Sequence, residues 1–215
     1  MLSWKAGFGQ KHSFGGSANR FYVEFFPGYG TRCSLMLTLE FPNEKHRGVY
    51  EGMVHVWRNA ETPTSPGKLF TGKDFDEFLS SSANQPSQIR QPTVPVHLLF
   101  LAHTDPSRLL GAIQIRHHIN HPNLIENGGH IGYGVCTSER RKGFAKKMRA
   151  LALLKARKMG LSRLLVTCKD VNIRSWKVIE SNGSVFERTT YDEGHRRVAI
   201  GSRLLSCVVP RWSTD

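Results

Sequence analysis

The sequence predicts an α/β (α+β) fold, a mixed central β-sheet flanked by helices, on three observations. From Gly129 onward the chain reads strand, basic turn, helix, strand, helix and strand, a βαβ-like unit extended by more β structure. Ahead of it, Val96 to Ala102 and Leu109 to Arg116 are β-rich runs either side of a turn at Asp105 to Ser107, the pattern of a hairpin. The 215 residues, 39% hydrophobic and 22% charged, suffice for one substantial core.

Residues 1–33 read as an N-terminal extension, with Glu24 as its first acid. It is a flexible arm, an extra strand over Phe21 to Phe26, or a remnant of expression. A mitochondrial address would suit its basic makeup, but its glycines oppose an amphipathic helix. Residues 34–215 read as a single domain. Ser34 to Leu39 is a strand, and Pro42 opens a helix to about Asn59, with Asn43 and Glu44 in its first turn. Asp74 to Ser80 is a second helix with Phe75 and Phe78 on one face. Ser80 to Pro95 and His117 to Gly128 are polar loops, and Gly129 to Val135 is a strand. Gly143 to Met159 is a helix whose apolar face carries Phe144, Met148, Leu151, Leu154 and Met159, and Gly160 stops it. Leu164 to Cys168 is a strand, and Ile173 to Glu180 a helix stopped by Asn182 and Gly183. The tail is strand over Val185 to Thr190 and Arg197 to Val209, with a break near Gly201.

A net charge of +13 and a pI near 10.0 favour anionic partners: a phosphorylated cofactor, nucleic acid, or an anionic membrane face. Cys33, Cys136, Cys168 and Cys207 form no close pairs, which disfavours a zinc ribbon or a disulfide framework and suits a reducing compartment. No apolar run is long enough to span a bilayer, no secretory signal follows Met1, and no apolar helical face accompanies the basic residues. The cytoplasm is therefore the expected location, ahead of the mitochondrion.

Thr137 to Ala145 is the stretch richest in chemistry. A strand ends in it and a basic helix starts from it, so unpaired backbone N–H groups and the positive end of the helix dipole meet there. Gly143 lets a ligand approach the backbone, Ala145 keeps the next turn narrow, and Arg140, Arg141 and Lys142 add three positive charges. The arrangement suits a diphosphate. It is neither a Gly-Lys-Ser/Thr loop nor a Gly-x-Gly-x-x-Gly fingerprint. The alternative is a solvated charge run leading into a surface helix.

His130 to Ala145, HIGYGVCTSERRKGFA, resembles the acetyl-CoA signature of the GNAT superfamily of N-acetyltransferases. That signature is Gln or Arg, two residues, Gly, one residue, then Gly or Ala, and Arg140, Gly143 and Ala145 stand at its defining positions. Val166 to Gly183, VTCKDVNIRSWKVIESNG, is similar to the strand and helix across the cofactor cleft. The whole is most like a subgroup of predicted acetyltransferases over about Met36 to Glu187. The resemblance implies a partly splayed sheet, acetyl-CoA as cofactor, and direct transfer of an acetyl group to a primary amine. It implies that Val135 and Thr137 pair with the pantetheine arm, and that Arg140, Arg141, Lys142, Gly143, Phe144 and Ala145 hold the pyrophosphate. Asn172 would contact the pantetheine or a structural water, and Ser175 would lie near the sulfur or the adenosine. Many members of the superfamily form dimers.

Acyl transfer to an amine needs a base, a polarised carbonyl and protonation of the leaving thiolate. Backbone N–H groups near Val135 would polarise the carbonyl. Glu126, acting through water, and His130, whose imidazole titrates near neutrality, are the candidate bases. The tyrosine that many relatives place after the Asn is Ile179 here, which leaves Ser175, Cys168 or water as the acid. Tyr133 alternates with Ile131 and Val135 and is expected on a packed face. Cys136 adjoins the anion site, whose field would lower its pKa, and is read as a bystander. His117, His118 and His121 lack the companions of a metal site, so no metal is expected. Two other readings stay open. One is a catalytically weak or inactive acetyl-CoA-binding domain. The other is a basic nucleic-acid-associated protein using Lys142, Lys146, Lys147, Arg149, Lys155, Arg157 and Lys158. Charge alone favours a neutral or acidic small amine as acceptor.

Overall fold

The computed structural model describes residues 20–25, 33–58, 66, 74–83, 94–103, 108–192 and 195–203. Five strands form one antiparallel sheet in chain order: β1 (Arg20–Phe25), β2 (Cys33–Glu40), β3 (Val96–His103), β4 (Leu109–Arg116) and β5 (Ile131–Val135). Three more, β6 (Arg163–Lys169), β7 (Val185–Asp192) and β8 (His195–Arg203), form a second antiparallel sheet in the order β6-β8-β7. A crossover from β5 to β6 through helix α3 (Phe144–Lys158) links the two sheets, so the expected partly splayed central sheet takes the form of two antiparallel halves that part between β5 and β6.

Side chains alternate across the first sheet, so each face builds its own core. Leu98, Phe100 and Ala112 face α1 (Arg47–Arg58) and α2 (Phe75–Ala83), where they pack with Tyr50, Met53, Trp57, Phe75 and Phe78. Tyr50 stacks on Phe78 with ring centroids 4.5 Å apart. Leu99, Leu101, Ile113 and Ile115 face α3 and pack with Met148, Ala152 and Ala156. Leu164 and Val166 of β6 and Ile179 of α4 (Ile173–Glu180) complete that core, which ties the second sheet to the first.

Several local expectations need correction. The first helix does not start at Pro42. Asn43 instead caps a 3-10 turn over Glu44–His46: its side chain accepts from Lys45 N, and His46 Nδ1 accepts from Asn43 N at 3.2 Å. The loop after β4 closes in a π-helical turn, Leu124–Gly128. Leu154 is exposed, whereas Arg149 of the same helix is fully buried. Its guanidinium donates to Ile179 O at 3.1 Å and Ser184 Oγ at 2.8 Å, where the negative end of α4 receives the charge. No break occurs at Gly201, which pairs with both Leu165 and Val185 beneath the Glu187 side chain. The turn at Asp105 to Ser107, most of the Ser80 to Pro95 loop and the tail beyond Arg203 lie outside the described residues. Among the described residues no helix is long and apolar enough to cross a membrane.

Candidate active site

Backbone hydrogen bonds show which edge of β5 is open. Arg116 N donates to His130 O at 2.8 Å and Cys136 N to Leu110 O at 2.9 Å, so the even-numbered residues between them pair with β4. Ile131, Tyr133 and Val135 therefore turn their N–H and C=O groups to the opposite edge, toward β6. Only the root of that edge is closed. His130 N donates to Leu165 O at 2.7 Å, and Leu165 N donates to His130 Nδ1 at 3.0 Å. Gly129, at φ +58, makes this approach feasible, because a Cβ there would lie 2.5 Å from Leu165 O. Beyond this point no backbone hydrogen bond joins β5 to β6 among the described residues. The strands part. Across the gap, the Tyr133 hydroxyl on β5 meets Ser175 Oγ on α4 at 3.0 Å.

The anion loop lies at the other end of β5. Arg141 and Gly143 both adopt left-handed backbone, φ 64 and 81, which makes a nest-like turn of successive N–H groups. Gly143 caps α3 with no side-chain hydrogen bond, and the first backbone bond of the helix comes from Lys147 N to Gly143 O at 3.2 Å. The N–H groups of Phe144, Ala145 and Lys146 therefore point out of the helix end. Where a Gly143 Cβ would stand there is nothing within 4 Å. A diphosphate fits this open, uncapped helix start.

The charges are arranged differently from the expectation of three cations on one rim. Glu139, in a 3-10 turn over Thr137–Glu139, is buried between Arg108 and Lys142 and bonds both, with Lys142 Nζ at 3.1 Å. Burial opposes its ionisation, but the bonds from Lys142 and Arg108 win and hold its carboxyl below the usual range. Lys142 is thereby neutralised. Arg140 turns back, its Nε donating to Val135 O at 3.3 Å, and Arg141 is exposed.

The other expected residues divide. Val135 lies on the open edge, whereas Thr137 sits in the turn, where it cannot extend a strand pairing. Asn172 caps α4, its Oδ1 accepting from Ser175 N at 3.1 Å. Glu126 is exposed on the π-turn, 3.8 Å from Arg188 on β7. His130 is a clamp. With Nδ1 accepting from Leu165 N, the neutral ring carries its proton on Nε2 and has no lone pair left for an amine. Burial further depresses its pKa. Cys136 is also corrected: burial, then the Glu139 carboxylate, push its thiol up to about 12, and its Sγ donates to Leu109 O at 3.2 Å.

Sequence reasoning missed Glu139, Arg108, Arg149 and the reach of Tyr133. Glu139 lies three residues before Lys142, a helical-turn spacing for an ion pair that the surrounding basic run obscures. Tyr133 does lie on the packed side, half-buried against the α3 core, but its ring is long enough to carry the hydroxyl to α4.

Residues 37–185 match the family model described as Acetyltransferase (GNAT) domain. No curated protein matches the chain. Among solved structures, a mutant spermidine N-acetyltransferase from Vibrio cholerae is similar at 16% identity and TM-score 0.56, over 78% of this chain and 94% of that one. A ribosomal alpha-N-protein acetyltransferase in complex with coenzyme A is similar at 16% identity and TM-score 0.55, over 78% and 93%. A microcin self-immunity acetyltransferase in complex with acetyl-CoA and AMP is similar at 16% identity and TM-score 0.54, over 78% and 92%. These likenesses extend the agreement in fold, and the family match covers well over half of the sequence. The chain belongs to the GNAT family of acetyltransferases, enzymes that move an acetyl group from acetyl-CoA to an amine.

Proposed function

We propose that the gap between β5 and β6 holds acetyl-CoA and that the enzyme transfers its acetyl group directly to a small-molecule or protein amine. The observation that carries this reading is the continuous path from the uncapped start of α3 to the open edge of β5. Phe144, Ala145 and Lys146 N–H groups would bind the pyrophosphate, with Gly143 giving clearance and Arg140 and Arg141 adding charge. The N–H groups of Tyr133 and Val135, which have no backbone acceptor among the described residues, would hold the pantetheine and polarise the carbonyl.

Acetyl-CoA supplies an acyl group already activated as a thioester. The protein needs only to orient the neutral amine, accept its proton and return one to sulfur. Glu126, exposed on the π-turn that precedes the closed root of the gap, would act as the base through water. Ser175 Oγ, backed by Tyr133 OH, is the donor to the leaving thiolate. Burial raises the tyrosine pKa, so its proton is present at neutral pH. We place the enzyme in the cytoplasm, where its buried thiols Cys136 and Cys168 would stay reduced.

Calorimetric titration tests the cleft. One acetyl-CoA per chain, bound far more tightly than ATP at moderate salt, followed by amine-dependent release of CoA, is expected. Binding equal to ATP and abolished by modest salt would reduce the loop to a generic anion patch.

A further inference from the structure

β7 is the outer strand of the second sheet, and among the described residues no strand pairs with its far side. A bulge between Phe186 and Arg188 interrupts its first half, but the pairing of Arg188 to Asp192 is regular. Natural edge strands are guarded by lysine, proline or bulges against pairing with another chain. Arg188 to Asp192 has none of these, and Thr189, Thr190 and Tyr191 are good strand formers. The two faces of this stretch differ. Arg188 and Thr190 turn to the π-turn, donating to Ile125 O at 3.1 Å and Glu126 O at 2.8 Å. Thr189 and Tyr191 therefore turn to the α4 side. Phe186 shares that side, because it pairs with Ile200 of the α3–α4 core, two residues from the Val198 that pairs with Thr189. There it stacks on Trp176 of α4 with the rings 4° from parallel. Phe186 is 48% and Tyr191 68% exposed, so an aromatic strip lies open beside an open strand edge. Exposed aromatic clusters of this kind mark interaction surfaces.

Charge decides what can approach this strip. Arg140 to Lys169 holds eleven cations and no carboxylate, in a chain of net charge +13. Two copies would repel one another through that region. Ile173 to Asp192 is neutral instead: Arg174, Lys177 and Arg188 are balanced by Glu180, Glu187 and Asp192. We propose that β7 pairs antiparallel with β7 of a second copy of this chain, about a two-fold axis perpendicular to the sheet and centred on Thr190. Such an axis keeps every side chain on its own face, so a residue meets only residues of matching alternation. Centred on Thr190, it sets Thr189 against Tyr191 of the partner subunit and Arg188 against Asp192 of the partner subunit, each twice. Opposite charges then face each other at both ends of the paired stretch, and the two aromatic strips become continuous on the α4 side. A centre at Thr189 would bring in the bulged Glu187, and one at Tyr191 would run past the end of the strand.

Sedimentation equilibrium of the whole chain across the micromolar range should show a monomer–dimer equilibrium. Tyr191→Lys sets a cation on each side of the axis. Because that contact occurs twice, a loss of about tenfold at each weakens the dimer by about a hundredfold. Val56→Lys, which adds the same charge at an exposed position of α1, should leave the dimer unchanged. Cysteines read the register. Mixing Thr189→Cys and Tyr191→Cys proteins under mild oxidation should give a disulfide-linked dimer that neither variant nor wild type gives alone, since only the mixture brings two thiols opposite each other. A wild type that stays monomeric, a Tyr191→Lys dimer as strong as wild type, or equal crosslinking in the mixture and the single variants would each overturn the proposal. A monomer that dimerises only when residues 204–215 are removed would overturn it too, and would assign the strip to that segment of the same chain. The assembly is measured without acetyl-CoA or an acceptor, so failure of the acetyl-transfer reading leaves this test standing.

Discussion

Gly129 and Gly143 share left-handed backbone, φ +58 and +81, but differ in what surrounds them. At Gly129 a Cβ would lie 2.5 Å from Leu165 O and 3.1 Å from Val166 Cα, both backbone atoms of β6. At Gly143 it would meet nothing within 4 Å. Placing an L-residue in this region costs about 1 kcal/mol in either case. At Gly129 the β6 backbone must also yield, which adds about 1–3 kcal/mol of overpacking. Gly129→Ala should therefore lose about 2–4 kcal/mol of stability, and Gly143→Ala only about 1 kcal/mol. Ligand binding should rank them the other way. The Gly143→Ala methyl enters the clearance in front of the α3 N–H groups, and loss of one or two charged hydrogen bonds weakens acetyl-CoA binding by at least about tenfold. Urea unfolding measures the first quantity and calorimetric titration the second. The reasoning fails if Gly129→Ala stays within about 0.5 kcal/mol of wild type, or if Gly143→Ala binds acetyl-CoA at full strength.

Further outcomes follow from the buried charged groups. His97, packed against His117 at 4.7 Å and Phe41 at 5.2 Å, titrates at about 4 because of burial first, then the charges of His117 and Lys155. Its folded pKa lies below the unfolded value of about 6.5, so its stabilisation is whole above that pH and is lost as pH falls toward 4. From pH 7 to 5 the loss is about 1 kcal/mol after allowing for solvent screening, and urea unfolding of His97→Phe should show a flatter pH dependence by that amount. Glu139→Gln leaves Arg108 and Lys142 without their shared carboxylate and should cost about 1 kcal/mol in the same assay. Cys136 should resist maleimide in the folded protein at pH 7.5, and a labelled Cys136 peptide in mass spectrometry would contradict its burial.

Most elements were legible because they are local. β-rich runs either side of a turn marked β3 and β4, and Ile173 to Glu180 was bounded correctly because Gly183, at φ 76, is a local stop signal. The turn from β5 into α3 was legible for the same reason, as a strand end, a glycine and a helix start close together in the chain. What escaped depends on contacts between distant residues. His130 is a clamp only because Leu165, 35 residues on, offers an N–H to its ring. Lys142 loses its free charge to Glu139, and Arg108 reaches that carboxylate from 31 residues away. Periodicity of α3 favours Leu154 as a core residue and treats Arg149 as surface, yet the carbonyl at the end of α4 makes the reverse arrangement possible.

These ties also explain how the gap stays open before any ligand arrives. Parted strands forgo a hydrogen-bond ladder, so the structure around them must be held by other bonds. His130 and Gly129 close the root, Tyr133 reaches Ser175 across the gap, and Arg149 fastens α3 to the end of α4 and the start of β7. Each bond joins an element of one wall to an element of the other. The Arg149 charge is costly to bury, and its pKa falls to about 10 for that reason. An apolar side chain there would pack without that cost, but it could not satisfy Ile179 O and Ser184 Oγ together. A cleft braced in this way does not have to be ordered by its cofactor, so less of the binding free energy is spent on assembling it. The proposed cofactor path is therefore set by polar ties, and the apolar cores on either face supply the stability that lets those ties persist.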